Sequence, residues 1–327
     1  MISLPEFEKK QILFVFLENG EKMSFRNDNL IITDKEGKIK IQCTCYRIFL
    51  VYIVGYFSIT SGLIQKTNKF GFSIIFLTNT FRPYHYIGAV KEGNTLLHER
   101  QYNYHDLEIA RLITENKINN QLELIKNIRE KSREQKAAVK EINEYLLKIP
   151  ETKSIPELMG YEGSASKAYF SAYFEKLNWK GRKPRIKHDM INSLLDIGYT
   201  LLFSFIETML VCYGFDTYCG VLHRNFYMRK SLVCDLIEPF RPLIDSAVKK
   251  GINLKQFKPE DFSIIENKYC LSWQKSSACV SALLVPLIAD RLEIFSYIQS
   301  YYRCFLKQLP IEKYPIFRIK NNDNYQL

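Results

Sequence analysis

Four side chains able to bind a metal or move a proton stand apart in the second half of the chain. They are Glu162 in LMGYEGSASKAYF, His223 in GVLHRNF, and Asp235 with Glu238 in SLVCDLIEPF. Carboxylates combined with one imidazole make an oxygen-rich mixed donor set, which suits Mg2+ or Mn2+ better than thiolate-loving zinc. Each residue also has a plainer reading on its own. Glu162 could be an acid favoured near a helix N-terminus by the macrodipole, and His223 a hydrogen-bonded structural histidine. Asp235 and Glu238, three apart, could form one solvated helix face. In one unbroken helix His223 and Glu238 would lie about 22 Å apart, against metal bonds of roughly 2.0–2.3 Å. A shared ion therefore demands that the chain fold back between them. The polar run RNFYMRKS permits this, Ser231 can cap a helix carrying Asp235, and Pro239 and Pro242 interrupt the segment just beyond Glu238.

Such a site needs a frame to position it. The chain has 327 residues, 46% hydrophobic and 25% charged, enough for one large core or two ordinary ones. Its formal charge of +11 comes from 46 Lys and Arg against 35 Asp and Glu. That balance favours a polyanion such as nucleic acid over acidic small molecules as partner. Residues 11–79 read as strand-rich, with hairpin signals at Asn19-Gly20 and at Asp34 to Gly37 and a small antiparallel sheet as the consequence. A short helix starting near Ser58 to Thr60 and a strand at Ser73 to Leu77 follow. The stretch 80–104, rich in Pro, Gly, Asn and Tyr, breaks both periods and reads as a linker. From about residue 105, Ile109, Leu112 and Ile113, then Leu124, Ile125 and Ile128, take the spacing of amphipathic helices. The expected division is 1–88, a linker at 89–104, and 105–327.

MISLPEFEKK lacks the features of a signal peptide, so no export is expected. The most apolar window, Ile197 to Tyr213, is interrupted by Glu207 and falls short of the roughly 20 clean residues of a membrane span. It reads as a buried helix. Eight cysteines without paired C-x-x-C spacing read as reduced thiols in a cytoplasm. Between Ala165 and Met190, seven cations (Lys167, Lys176, Lys180, Arg182, Lys183, Arg185 and Lys187) meet two acids, Glu175 and Asp189. The segment NWKGRKPRIKH reads as a mobile loop gripping phosphates beside the site, or else as a solvated charge run.

The blocks LMGYEGSASKAYF, INSLLDIGYTLL and GVLHRNFYMRKSLVCDLIEPFRPLID, with FSITSGLIQ, GFSIIFL and HERQY before them, occur together in one family. Over residues 10–300 the chain resembles the CRISPR-associated integrases, Cas protein number one. The resemblance implies an α+β fold, an N-terminal antiparallel β-sandwich that dimerises, followed by a larger all-α catalytic domain. It implies that Glu162, His223 and Glu238 are catalytic ligands of one Mg2+ or Mn2+, with Asp235 as supporting acid. It places Lys167, Arg182, Lys183, Arg185 and Lys187 on double-stranded DNA. The implied activity is endonuclease and integrase chemistry of CRISPR adaptation: short DNA fragments enter the array as a 3′-hydroxyl attacks a phosphodiester. The implied partners are a second copy of the chain and Cas protein number two in a heterohexamer, in the cytoplasm and away from membranes. Two departures stand out: Asp189-Met190-Ile191-Asn192 where the family often has Asp-Pro-x-Asn, and Lys167 where Arg is common. The competing readings are a non-catalytic DNA-binding scaffold, whose acids are structural, and a metal-dependent repair nuclease.

Overall fold

Two runs near the N-terminus, IFLVYIVG and SIIFL, are apolar at almost every position, and strands of that kind need both faces covered. The computed structural model, which describes residues 2–55, 61–88, 93–177, 179–223 and 227–320, covers them from both sides. After a short helix α1 (Leu4–Glu8) come β1 (Gln11–Leu17), β2 (Lys22–Arg26), β3 (Asn29–Thr33), β4 (Ile39–Thr44) and β5 (Ile48–Gly55). Helix α2 (Ser61–Phe70), β6 (Ser73–Leu77) and β7 (Pro83–Ile87) complete this region. β2, β3 and β4 form an antiparallel sheet, and β1, β5, β6 and β7 form a second sheet in that order.

In the second sheet β5 runs parallel to both β1 and β6, and β7 is antiparallel to β6. The antiparallel expectation thus holds for the first sheet and is corrected for the second. The crossover through α2 is what lets β5 and β6 run the same way. The hairpin expected at Asn19-Gly20 does not form: the apolar β1 joins β5, and the half-exposed β2 goes to the other sheet. The Asp34 turn does close a hairpin between β3 and β4, with Asp34 Oδ1 accepting from the amides of Glu36 and Lys38 at 3.0 and 2.8 Å. A further hairpin, β2 to β3, turns on Asn27 and Asp28, whose φ angles of 46° and 57° these residue types tolerate. The strand expected at Ser73 to Leu77 is β6. The helix start expected at Ser58 to Thr60 lies outside the described residues.

Side chains of β5 point alternately into two cores. Val51 and Ile53 join Val15, Leu17, Leu30 and Phe76 in a small core between the sheets and α2. Leu50, Tyr52 and Val54 face the other way, into a large core built mainly from helices. The buried Tyr52 hydroxyl donates to Leu201 O at 3.0 Å across this boundary. One sheet therefore serves both halves of the molecule.

The helical region contains α3 (Thr95–Tyr102), α4 (Glu108–Lys126), α5 (Arg133–Lys148), α6 (Ile155–Tyr173), α7 (Met190–Tyr213), α8 (Ser231–Leu236) and α9 (Arg241–Asn253). A hairpin of β8 (Phe262–Ile265) and β9 (Lys268–Leu271) precedes α10 (Trp273–Ala289) and α11 (Arg291–Lys307). A strand-rich region followed by a helical domain is the architecture expected from the sequence. Among the described residues only α7 is long and apolar enough to cross a membrane, and it is mostly buried inside the protein, as a core helix is. The stretch read as a linker carries α3, docked through Gln101: its side chain donates to Asp216 O and accepts from Asp216 N, both at 2.9 Å. None of the eight cysteines, all of them described, is in a disulfide.

Candidate active site

Glu162 lies in the interior of α6, whose N-terminus is capped by Ser154 accepting from Glu157 N at 3.4 Å. The reading as a helix-end acid is thereby set aside. Glu162 Oε1 accepts from Ser166 Oγ, one turn on, at 2.8 Å and is ion-paired with Lys117 of α4. The same Lys117 Nζ lies 2.6 Å from Glu238 Oε2. Two oxygens within hydrogen-bonding reach of one nitrogen stand no more than about 6 Å apart. Glu238 opens the single 3-10 turn between α8 and α9, and Arg241 Nε lies 3.0 Å from its other oxygen. Burial pushes the Glu238 carboxyl up, but Arg241, Lys117 and His223 outweigh it and hold it at about 2. Burial also disfavours the Lys117 charge, yet Glu162 and Glu238 raise its pKa above the ordinary value.

The chain reversal that a shared ion demands is made by Asp235. This fully buried residue of α8 accepts at Oδ2 from the amides of Val221 and Leu222, at 2.6 and 3.0 Å. Its Oδ1 accepts from the His223 amide at 3.0 Å and meets His223 Nδ1 at 2.7 Å. Residues 221–223 are thus fastened to α8, and with Nδ1 engaged, Nε2 is the ring nitrogen left for a ligand. Gly220 permits the approach: a Cβ there would come within 2.7 Å of Asp235 Oδ2 and of Ser231 Cβ. The start of α8 is tied to α7 by an ion pair between Lys230 and Glu207, the acid that interrupts the apolar window. Residues 224–226 of the polar run lie outside the described residues.

Around this cluster lies a buried polar layer. The Arg241 guanidinium sits 4.6 Å over the ring of Tyr199 on α7. Tyr199 and Tyr169 both donate to Asp245 of α9, Tyr169 at 3.0 Å. Burial, only partly offset by these hydrogen bonds, pushes Asp245 up to about 6. On α4, Asn116 donates to Phe317 O at 2.6 Å and accepts from Phe317 N at 2.9 Å. Asn120 accepts from Ile319 N at 3.0 Å and donates to Phe317 O at 3.0 Å and Pro239 O at 2.9 Å. The helix that carries Lys117 thus grips both the segment around residues 317–319 and the residue beside Glu238.

The basic loop before α7 is hydrogen-bonded to that helix. Asp189, Asn192 and Asp196 lie on one face of the first turns of α7 and bind the loop from below. Asp189 caps the helix by accepting from Asn192 N at 2.7 Å and also accepts from Trp179 Nε1 at 3.2 Å, so Met190 in place of Pro leaves the cap intact. Asn192 Oδ1 accepts from Arg182 and from Lys183 N at 3.0 and 2.8 Å, and Asp196 accepts from Arg185 N at 3.1 Å. Arg182 is turned inward against Asp196 at 2.5 Å and is a brace of the loop rather than an open phosphate contact. Lys183, Arg185 and Lys167 are exposed, and Lys187 is half-buried with its carbonyl accepting from Tyr269 N at 2.8 Å. Arg185 and Lys187 hold φ of 67° and 53°, a backbone cost of about 1–2 kcal/mol each.

The donor types gathered here, carboxylates with one imidazole nearby in the chain fold, are those a hard divalent ion takes. Glu238 Oε2 is buried without an aligned hydrogen bond, its near neighbour being the Lys117 ammonium. A second carboxylate, Glu162, reaches the same ammonium, and His223, with Nδ1 held by Asp235, is of the nitrogen-donor type. Among the described residues no three His, Cys, Asp or Glu side chains form a ready metal cluster; Lys117 is placed between the two glutamates. Sequence reasoning missed Lys117, Arg241, Tyr199, Asp245 and the two asparagines. The one signal available was in α4, where Asn116 with Asn120 and Lys117 with Gln121 recur four apart beside apolar residues that already fill much of the helix surface.

A model of the family described as CRISPR associated protein Cas1 matches residues 14–283. The CRISPR-associated endonuclease Cas1 1 of Thermodesulfovibrio yellowstonii is 30% identical over 225 residues, covering 65% of this chain and 71% of the relative. Among solved structures, a chain of a Cas6-RT-Cas1–Cas2 complex is similar with a TM-score of 0.79 and 20% identity; the match covers 95% of this chain but only 36% of that one. A casposase bound to integration product is similar with a TM-score of 0.77 and 22% identity, over 96% of this chain and 97% of that one.

Proposed function

As the chain belongs to the Cas1 family of CRISPR-associated proteins, we propose that it is a metal-dependent integrase of CRISPR adaptation that inserts short DNA fragments into the array. The observation that carries this reading is the convergence of Glu162 and Glu238 on one cation position, with His223 oriented by Asp235 and felt electrostatically at Glu238. Glu162, His223 and Glu238 would hold Mg2+ or Mn2+, which when bound neutralises charge developing on the scissile phosphate. Asp235 fixes the imidazole through Nδ1, which would leave Nε2 as the ring nitrogen for the ion. Arg241 holds Glu238 in its ionised form. The exposed Lys167, Lys183 and Arg185 contact the DNA backbone, and the docking of the loop on α7 fixes where those contacts fall.

In the reaction a 3′-hydroxyl of the incoming fragment attacks a phosphodiester of the repeat. One P–O bond forms to the incoming oxygen and one breaks to the leaving 3′-oxygen, with no net hydrolysis. The hydroxyl proton passes to solvent and the leaving oxygen takes one up. The working form is a homodimer assembled with Cas2 on double-stranded DNA, a reading supported by the kind of assemblies in which related folds have been solved.

The test is the joining of a short duplex with free 3′-hydroxyls to a supercoiled, repeat-bearing plasmid in Mn2+ or Mg2+. Glu162→Gln and His223→Ala are expected to cut joining by at least about 100-fold, the upper end for loss of a supporting partner of a metal ligand, with duplex affinity retained. Full joining by both variants would overturn this ligand set, duplex binding without joining by the wild type would favour the scaffold reading, and cleavage without joined ends the repair-nuclease reading.

A further inference from the structure

We propose that Lys117 is a built-in counter-cation of the active site: its ammonium holds Glu162 and Glu238 together before a divalent ion arrives, competes for the same gap, and is displaced when the ion binds. This rests on the metal-binding reading above. Lysine is rarely buried, because its stem usually carries the charge out to water, yet Lys117 is only 8% exposed. It is ion-paired with both carboxylates at once, and these come from separate elements, α6 and the turn before α9. With Arg241 also on Glu238, the cluster is close to electrically balanced without any metal.

Two further features make displacement the natural outcome of ion binding. A divalent ion bonded to the same oxygens would lie within a few ångströms of the ammonium, where like charges repel strongly in a largely buried site. The backbone under Lys117 is pinned, since Asn116 and Asn120 on either side of it hold the segment around Phe317. Helix α4 therefore stays in place, and the four-carbon stem of the lysine is the part free to move. Competition of this kind raises the metal concentration needed to load the site, while keeping two buried glutamates from repelling each other when it is not loaded.

Binding of Mn2+ to the full chain, followed by loss of the free-ion electron paramagnetic resonance signal, tests this without reference to activity. Lys117→Gln and Lys117→Met are expected to bind Mn2+ roughly 5- to 150-fold tighter than the wild type, the usual span of coupling between two binding events. Lys117→Arg, which keeps the charge, is expected to show no gain. In EDTA the neutral variants should melt below the wild type, and Mn2+ should raise their melting temperature by more. Wild-type binding with equal or weaker binding by both neutral variants would overturn the proposal and leave the metal site standing. Absence of Mn2+ binding by the wild type would instead sink the metal reading itself. Should the neutral variants fail to fold, isotope-coded reductive methylation of the wild type decides the matter: labelling of Lys117 is expected to rise on Mn2+ addition, and unchanged labelling overturns displacement.

Discussion

Around Glu162 and Glu238 the charges are largely buried and matched in opposite pairs, Lys117 to both glutamates and Arg241 to Glu238. In the loop before α7 the charges are divided, Arg182 turned in against Asp196 while Lys183 and Arg185 project to solvent. The first region uses charge to fix geometry, because a buried ion without its partner costs far more than a solvated one. The second uses a few inward contacts to hold a backbone and leaves the remaining cations exposed to solvent. A count of formal charges along the sequence does not distinguish these uses.

The contrast can be broken at several points. Glu238→Ala strips Arg241 of its carboxylate and Lys117 of one of two, so urea unfolding should show a loss of about 3–5 kcal/mol; a loss no larger than that of an exposed residue would remove the distinction. Asp235→Asn cannot accept from three amides and the imidazole with one oxygen. Its Mn2+ affinity should fall by about 10–100-fold with DNA binding unchanged, and a matching loss of DNA affinity would show that cluster and loop act as one unit. The smallest effects distinguish the loop cations from one another. Arg182→Ala should lower stability by about 1–3 kcal/mol through its lost charged hydrogen bonds. Arg185→Ala should leave the melting temperature alone and reduce the log–log salt slope of duplex binding by about 1. Equal effects of the two on stability would place both residues on the surface.

Much of the frame was legible where a local signal and the tertiary outcome agree. The SIIFL strand, the Asp34 turn and the change to helical period after residue 105 depend on nearby residues, and each forms as the sequence predicts. The Asn19-Gly20 hairpin failed because β1 pairs with β5, whose side chains a local turn signal cannot see. The four site residues were legible as chemistry, and Asp235 performs the reversal that the spacing required. Lys117 was not legible, since a lysine in a polar stretch of helix ordinarily faces water, and only the meeting of α4, α6 and the turn before α9 makes it internal. Arg182 was misread for the opposite reason: nothing in a basic run tells which cation has an aspartate waiting two turns along the next helix.

The grip of Asn116 and Asn120 on residues 317–319 reaches across 201 positions of sequence. On a ribosome adding about 5–20 residues per second, α4 waits roughly 10–40 s for that segment, with two side-chain amides that have no other described protein partner but Pro239. Glutamates and imidazole are all translated well before the frame that clamps them is complete. A nascent chain therefore carries these side chains in an unfinished setting until the segment around Phe317 has been made.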